Sequence, residues 1–171
     1  MQVPQPLFLD SVLPFSNVNE AVSNWRPLLH DATLPLITSA ATADNKELDD
    51  YSITELVYIV NEGLWSTAFN KTILFKSSQT PLIYDPMSVL AFSYASCTGV
   101  SIFFINALRS IGIPARIAGT PAWNRVEENG NHNWVEVWVG PESDTNTGGW
   151  QFIEAKPAGG GETLTNPCDK W

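Results

Sequence analysis

The most constraining feature of the sequence is an apolar stripe with helical spacing near the middle of the chain. Its members are separated by 3, 1, 3, 1 and 3 positions: Val100, Phe103, Phe104, Ala107, Leu108 and Ile111. One continuous face of an α-helix produces this spacing. Gly112 and Pro114 follow the stripe and predict its end, and the small residues 96–98 predict its beginning. Cys97 should therefore lie at or beside the N-terminus of this helix.

After Pro114 the apolar period changes to that of a β-strand. One face of residues 132–140 carries His132, Trp134, Glu136 and Trp138, and the other carries Val135, Val137 and Val139. Such alternation is typical of a strand with one buried face. A shorter strand is predicted over Ala115–Pro121, and an antiparallel neighbour over Trp150–Ala155. Helices come first and strands follow, which predicts an α+β fold.

The N-terminal half gives weaker signals. A helical stretch is predicted at Val18–Leu29, and Thr38–Asp50 is interpreted as a loop or linker. A capping box at Ser52–Glu55 predicts a helix that continues to about Ala68. The segment Lys71–Pro86 contains two prolines and is predicted to be extended, and the Gly/Pro-rich tail from 156 to 167 to be irregular.

Length and composition limit the class of protein. A chain of 171 residues that is 44% hydrophobic can bury a core as one domain, without disulfides or metals. We expect a single domain over 1–171, with an N-terminal helical extension over 1–50 and a catalytic core over 51–171. The net charge of -9 argues against nucleic acid as a partner. No apolar run reaches the roughly 18 residues of a transmembrane segment, and the first residues do not resemble a signal peptide. The chain is also compatible with a piece of a longer protein that has other domains.

Two cysteines and two histidines restrict the chemistry. A structural zinc site needs four such ligands, usually in close pairs, whereas Cys97, Cys168, His30 and His132 are all isolated in the sequence. We therefore expect no metal site, and no cofactor. A Cys97–Cys168 disulfide is one alternative for the cysteines. Another is that Cys97 is a small buried apolar residue.

A thiol at a helix N-terminus can instead be a reactive nucleophile, because the helix dipole and unsatisfied N–H groups favour the thiolate. The same N–H groups, including that of Cys97, can hold a developing oxyanion. His132, at the start of its strand, is the candidate base, although its position taken alone favours a surface or capping histidine. Glu154 on the neighbouring strand is the first candidate for orienting the imidazole, ahead of Asp85 and Asn131.

Three segments together resemble the transglutaminase-like superfamily. Residues 93–123 contain a small-residue turn, Cys97, the amphipathic helix and a GIPAR motif that leads into a strand. The segment GNHNWVEVWV at 130–139 resembles the H-x-W-x-E strand of that family, and GWQFIEAKP at 149–157 resembles its acid-bearing strand. The resemblance implies a papain-like core, in which N-terminal helices, with the nucleophile at a helix N-terminus, pack on an antiparallel sheet.

The resemblance also implies roles for particular residues. Cys97 corresponds to the nucleophile, His132 to the general base and acid, and Glu154 to the acidic orienting residue, where the family usually has aspartate. The family often adds an upstream side chain to the oxyanion hole, and Gln79 and Tyr94 are the candidates. Trp134, with Trp123, Trp138 and Trp150, adds aromatic surface around the predicted cleft, where core and rim packing is favoured over substrate stacking. We interpret Arg116 of GIPAR as structural, paired with Glu136 or another nearby carboxylate.

The predicted function is cysteine-dependent hydrolysis of amide or peptide bonds in a peptide or protein substrate, through a thioester acyl-enzyme. One alternative is transglutaminase-type acyl transfer to an amine. Others are an inactive interaction module, and a carbohydrate or peptide binder that uses the tryptophans. Glycopeptide deglycosylation is a subordinate alternative, since that branch of the superfamily usually adds a zinc site for which this chain lacks the cysteines.

Overall fold

The computed structural model describes residues 3–79, 84–122, 126–140 and 149–159. The helices of these segments are α1 (Gln5–Ser11), α2 (Trp25–Asp44), α3 (Ile53–Gly63), α4 (Pro86–Phe92), α5 (Cys97–Ser110) and α6 (Lys156–Gly159). Their strands are β1 (Leu74–Phe75), β2 (Tyr94–Ala95), β3 (Ala115–Thr120), β4 (His132–Val139) and β5 (Gly149–Ile153). Short 3₁₀ turns occupy residues 48–50, 77–79 and 127–129.

An antiparallel sheet of order β3-β4-β5 forms one layer, and α5 packs against it. In the sheet, Thr120 pairs with His132, and Val135 pairs with Ile153. A separate two-residue parallel pair joins β1 to β2 just before α5. The α+β prediction is confirmed, and so is the placement of Cys97 at the start of a helix packed on an antiparallel sheet. The small parallel pair ahead of α5 departs from the predicted order of helices followed by strands.

Helix α5 is the central core helix. Every residue of the predicted stripe from Val100 to Leu108 is buried, and Phe103 packs between Trp65 and Phe69 with ring centroids 5.8 and 6.0 Å away. After Ser110 the chain turns at Gly112, whose φ of 87° is a conformation that glycine adopts without steric cost. The predicted helix and its glycine stop are therefore confirmed.

The capping box at the start of α3 is also confirmed. The Ser52 hydroxyl accepts from the Glu55 N–H at 3.2 Å, and the Glu55 carboxylate accepts from the Ser52 N–H at 2.8 Å. These reciprocal bonds satisfy two of the N–H groups that the first turn leaves unpaired. The helix ends at Gly63, however, and does not reach Ala68 as predicted.

The prediction of a loop at Thr38–Asp50 is wrong, because α2 continues to Asp44. Its later turns bury Ile37 and Ala41, and packing against the core outweighs the weak helix propensity of a Thr-rich segment. The predicted start at Val18 is wrong as well, since the helix begins at Trp25.

Other boundaries differ by a few residues. Strand β5 ends at Ile153, so Glu154 follows the strand instead of lying in it. Residues Lys156–Gly159 form a short helix where an irregular segment was predicted. The segment predicted to be extended, Lys71–Pro86, contains β1 and a 3₁₀ turn among its described residues.

The stripe on α5 predicts a large difference between two leucine truncations. Leu108 is fully buried on α5, whereas Leu9 on α1 is 51% exposed. Leu108→Ala should lower the free energy of unfolding by about 2–5 kcal/mol, because it removes buried methyl groups and leaves a cavity. Leu9→Ala, the matched control, should change it by about 0.5 kcal/mol or less. Urea denaturation measures both, and equal effects would contradict this assignment of the core.

Candidate active site

Cys97 is the first residue of α5 and has a free, buried thiol. The preceding residue, Ser96, is the N-cap, and its side chain makes no capping hydrogen bond to the first turn. The first N–H groups of a helix have no partner within the helix. The thiol therefore lies beside backbone donors, and the Thr98 N–H is one that hydrogen-bonds to it. Cys168, the other member of the alternative disulfide, lies outside the described residues.

Small residues beside Cys97 allow close packing of the chain around it. A Cβ on Gly99 would lie 2.6 Å from the Ala95 Cβ, closer than side chains tolerate. Glycine at this position therefore lets β2 run directly against the first turn of α5. Part of the reason for the small flanks of Cys97 is thus local packing.

His132 is the first residue of β4 and is 8% exposed. Its Nε2 lies 3.0 Å from Glu154 Oε2. Its side chain also hydrogen-bonds with the Cys97 thiol, which leaves Nδ1 as the nitrogen that faces sulfur. The structure thus brings together Cys97, His132 and Glu154, the three residues that the sequence predicted to form the site.

Glu154 is the most deeply buried of the three, with 2% exposure. It follows β5 directly, one residue after the pairing of Ile153 with Val135. A buried carboxylate is costly unless a cation or hydrogen-bond donors compensate it. His132 offers both when it is protonated, so the carboxylate favours an imidazolium at this position.

The pKa values of the thiol and the imidazole shift in opposite directions. Burial alone raises the pKa of Cys97, but the hydrogen bond and charge of His132 and the N–H groups of Asn133 and Thr98 outweigh burial and lower it. Burial alone lowers the pKa of His132, but its bonds to Cys97 and Glu154 outweigh burial and raise it to about 9. Both shifts favour a thiolate beside an imidazolium over the neutral pair of thiol and imidazole.

Asn133 links the helix of Cys97 to the strand of His132. Its side-chain amide donates to Thr98 Oγ1 at 2.6 Å, and its carbonyl accepts from Ser101 Oγ at 3.2 Å. Its own N–H hydrogen-bonds to the Cys97 sulfur. Sequence analysis missed this residue, although its place next to His132 and an amide side chain at a buried strand start were available signals.

The candidates for the oxyanion hole and for substrate contact are placed as follows. Residues 77–79 form a 3₁₀ turn, but the Gln79 side chain lies outside the described part of the chain. Tyr94 lies in β2, where its hydroxyl hydrogen-bonds with that of Tyr84. Trp134 is buried, with its ring centroid 6.3 Å from that of His132 and 6.0 Å from that of Phe152. It forms part of the wall behind the imidazole.

The weaker candidates for orienting His132 have other positions. The Asp85 carboxylate caps α4 by accepting from the Ser88 N–H at 2.9 Å. Asn131 lines a groove described below. Glu154, and not Asp85, is the carboxylate on the imidazole.

The predicted pairing of Arg116 with Glu136 is confirmed. The guanidinium Nη2 lies 2.7 Å from Glu136 Oε2, and the same guanidinium lies over the Trp150 ring at 4.0 Å. Trp150 packs against Trp138 across the strands at 5.8 Å. These aromatics serve the packing of the sheet, as predicted, while Trp123 lies outside the described residues.

A groove of about 570 Å³ is lined by Thr98 and Asn133, the residues that follow Cys97 and His132 in the chain. Residues 117–121 of β3 and the following turn also line this groove. Val18 of the N-terminal segment and Asn131 complete the lining. None of these lining side chains is charged, so the groove suits an uncharged, extended group.

The described residues contain neither a candidate metal cluster nor a candidate membrane-spanning helix. No group of three or more His, Cys, Asp or Glu side chains in these segments is arranged to hold a metal ion. Among the same residues, no helix has both the length and the apolar character needed to cross a membrane.

Fold and site together define a class: an α+β domain with a cysteine at a core-helix N-terminus, facing a histidine and a carboxylate on an antiparallel sheet. The family model of the transglutaminase-like superfamily matches residues 40–155, more than half of the chain. The chain belongs to this superfamily, whose members are typically cysteine-dependent enzymes.

Solved structures with the same fold include the periplasmic domain of TgpA from Pseudomonas aeruginosa, bound to ethylmercury. It is 16% identical, with a TM-score of 0.53 over 86% of this chain and 47% of that one. A provisionally assigned cysteine protease from Cytophaga hutchinsonii is 16% identical, with a TM-score of 0.49 over 91% and 48%. A TGase is 18% identical, with a TM-score of 0.46 over 88% and 37%. The chain spans about half or less of each of these structures. No curated protein sequence matches it.

The opposed pKa shifts predict the pH dependence of alkylation at Cys97. In a Cys168→Ser background, the iodoacetamide rate of Cys97 should reach half of its maximum below the pH of an ordinary thiol, because the thiolate is favoured. His132→Ala should raise this midpoint. Burial, which raises the pKa of Cys97, remains, whereas the hydrogen bond and charge of His132, which lower that pKa, are lost. Alkylation that is quenched at timed intervals and quantified by mass spectrometry measures the rate against pH for both proteins. An unchanged midpoint in a folded His132→Ala protein would contradict the coupling.

Proposed function

We propose that this chain is a cysteine-dependent hydrolase of amide or peptide bonds. Cys97 acts as the nucleophile, His132 as general base and acid, and Glu154 as the residue that orients the imidazole. The observation that carries the proposal is the buried chain of hydrogen bonds from the thiol through His132 to the Glu154 carboxylate, with 3.0 Å between Nε2 and Oε2. Family membership supports the general class of cysteine enzyme.

The first half of the proposed reaction forms a thioester. The thiolate of Cys97 attacks the carbonyl carbon of the substrate, and the carbonyl oxygen becomes an oxyanion. The N–H groups at the start of α5, including that of Cys97, can donate to this charge. The C–N bond then breaks, and the imidazolium of His132 gives its proton to the leaving amine.

The second half of the reaction releases the acyl group. The imidazole of His132, now neutral, takes a proton from water as the water oxygen attacks the thioester carbon. The C–S bond breaks, the acid product leaves, and the thiolate and imidazolium are restored. Glu154 keeps Nε2–H directed to itself in both halves, so Nδ1 stays directed at the reacting atoms.

The neutral groove beside Thr98 and Asn133 supports an extended, uncharged segment as the part of the substrate that lies next to the scissile bond. A carboxylate or ammonium group would lose hydration there and would meet no side chain of opposite charge among the lining residues. Peptide segments with small polar or apolar residues fit this description best.

Acyl transfer to an amine uses the same thioester and differs only in the second nucleophile. We favour hydrolysis because water needs no second binding site. An inactive interaction module would not need a thiol with a lowered pKa. The lowered pKa of Cys97 therefore supports a catalytic role of this residue over a purely structural one.

The proposed chemistry predicts complete dependence on Cys97. With a panel of chromogenic peptide anilides, Cys97→Ala should abolish turnover, and Glu154→Gln should lower kcat/KM by about 10²-fold or more, because the imidazole loses its orienting charge. Cys97 should also be labelled selectively by acyl-type electrophilic probes, detected by mass spectrometry.

The controls for this experiment separate the alternatives. Arg116→Gln removes an exposed ion pair of the sheet and should leave turnover at the wild-type level. Addition of a primary amine should leave the acid as the main product if the enzyme hydrolyses, whereas amide product would indicate acyl transfer. Full turnover in Cys97→Ala would eliminate the proposal.

A further inference from the structure

Asn61 of α3 holds the backbone at the Glu154 carbonyl and two residues further along the chain. The residue is only 4% exposed. Its Nδ2 donates to the Glu154 carbonyl at 2.9 Å, and its Oδ1 accepts from the Lys156 N–H at 3.0 Å. Trp65 Nε1, one turn further along the chain, donates to the same Oδ1 at 3.0 Å and fixes the direction of the amide. One buried side chain thus clamps the backbone that follows β5, at Glu154 and Lys156.

The short helix α6 closes over the side chain of Glu154. A Cβ on Gly159 would lie 2.8 Å from the Glu154 Cβ and closer still to its Cγ. No side chain fits at position 159 unless Glu154 or α6 moves, since contacts of that length are not tolerated. The stem of Glu154 is therefore confined between the clamp on its backbone and the glycine against its methylenes.

This confinement matters because residue 154 is a glutamate, whose side chain is longer than that of aspartate. A glutamate has one more rotatable bond than the aspartate usual in this family, so its carboxylate reaches a fixed point on the imidazole only if its stem is held. Glu154 lies beyond the last paired residue of β5, where the ladder no longer fixes the backbone. We propose that Asn61 and Gly159 are positioning residues that direct the Glu154 carboxylate at His132.

The inference rests on the proposed function, in which Glu154 orients the imidazole. It adds a prediction that the three-residue site does not make: the pKa of Cys97 depends on an amide 36 positions earlier in the chain. A change at Asn61 that only loosens the fold would lower stability and leave the ionisation of the thiol unaltered.

The test uses the full chain with Cys168→Ser, so that alkylation reports Cys97 alone. Asn61→Leu removes three hydrogen bonds at similar volume, and Asn61→Asp keeps an acceptor for Lys156 and Trp65 but loses the donor to Glu154. Gly159→Ala adds the crowding methyl group. We expect Asn61→Leu and Gly159→Ala each to raise the pH midpoint of Cys97 alkylation toward that of Glu154→Gln, and to lower kcat/KM on a peptide anilide by roughly tenfold.

Asn106→Leu is the matched control. Asn106 is a buried asparagine of α5 whose Oδ1 accepts from Asn17 Nδ2, and it lies away from the site. It should lose thermal stability while keeping the alkylation midpoint. In a Glu154→Gln background, Asn61→Leu should add no further shift of the midpoint, because the group that it positions is already gone.

The outcomes are distinguishable. If Glu154→Gln shifts the midpoint but folded Asn61→Leu and Gly159→Ala do not, the positioning role is wrong and the proposed function stands. An equal shift from Asn61→Leu with and without Glu154→Gln would also overturn the inference, as would a shift in Asn106→Leu equal to that in Asn61→Leu. If neither His132→Ala nor Glu154→Gln affects Cys97, the proposed function itself fails. Should Asn61→Leu not fold, Asn61→Asp and Gly159→Ala decide the question.

Discussion

The packing of α5 against β4 is the constraint on which the rest of the site depends. Both Cys97 and His132 are the first residues of their elements, so the register between helix and strand decides whether sulfur and imidazole meet. Burial of the α5 stripe against Val135 and Val137 supplies the driving force for this packing. Asn133 then fixes the register at the site by its bonds to Thr98 and Ser101.

Burial gives the three polar groups their chemical character. In a region shielded from water, a charge is stable only beside a compensating charge or donor. The Glu154 carboxylate favours the imidazolium of His132, and the imidazolium favours the Cys97 thiolate, so each ionisation supports the next. Backbone N–H groups at the start of α5 and β4 add donors at the sulfur. The opposed pKa shifts of Cys97 and His132 thus depend on the junction between helix and sheet.

Local sequence patterns predicted much of this arrangement. The apolar stripe predicted helix α5, and the alternation of residue types predicted strand β4. The predicted starts of these two elements gave the positions of Cys97 and His132. Where the prediction was wrong, tertiary packing decided: α2 extends through a Thr-rich segment because Ile37 and Ala41 face the core. Asn61 could not be found in this way, since it lies 93 positions from Glu154 and only folding brings the two together.

Imidazole NMR is the most direct test of the proposed pairing of a His132 imidazolium with the Cys97 thiolate. The chain has two histidines, and the resonances of His30, on α2, are assigned with His30→Gln. The His132 resonances should titrate with a midpoint near pH 9. Cys97→Ala and Glu154→Gln should each lower this midpoint, because each removes a hydrogen bond that raises the pKa of His132. A midpoint near the ordinary histidine pKa of about 6.5 that neither substitution changes would contradict the pairing of His132 with Cys97 and Glu154.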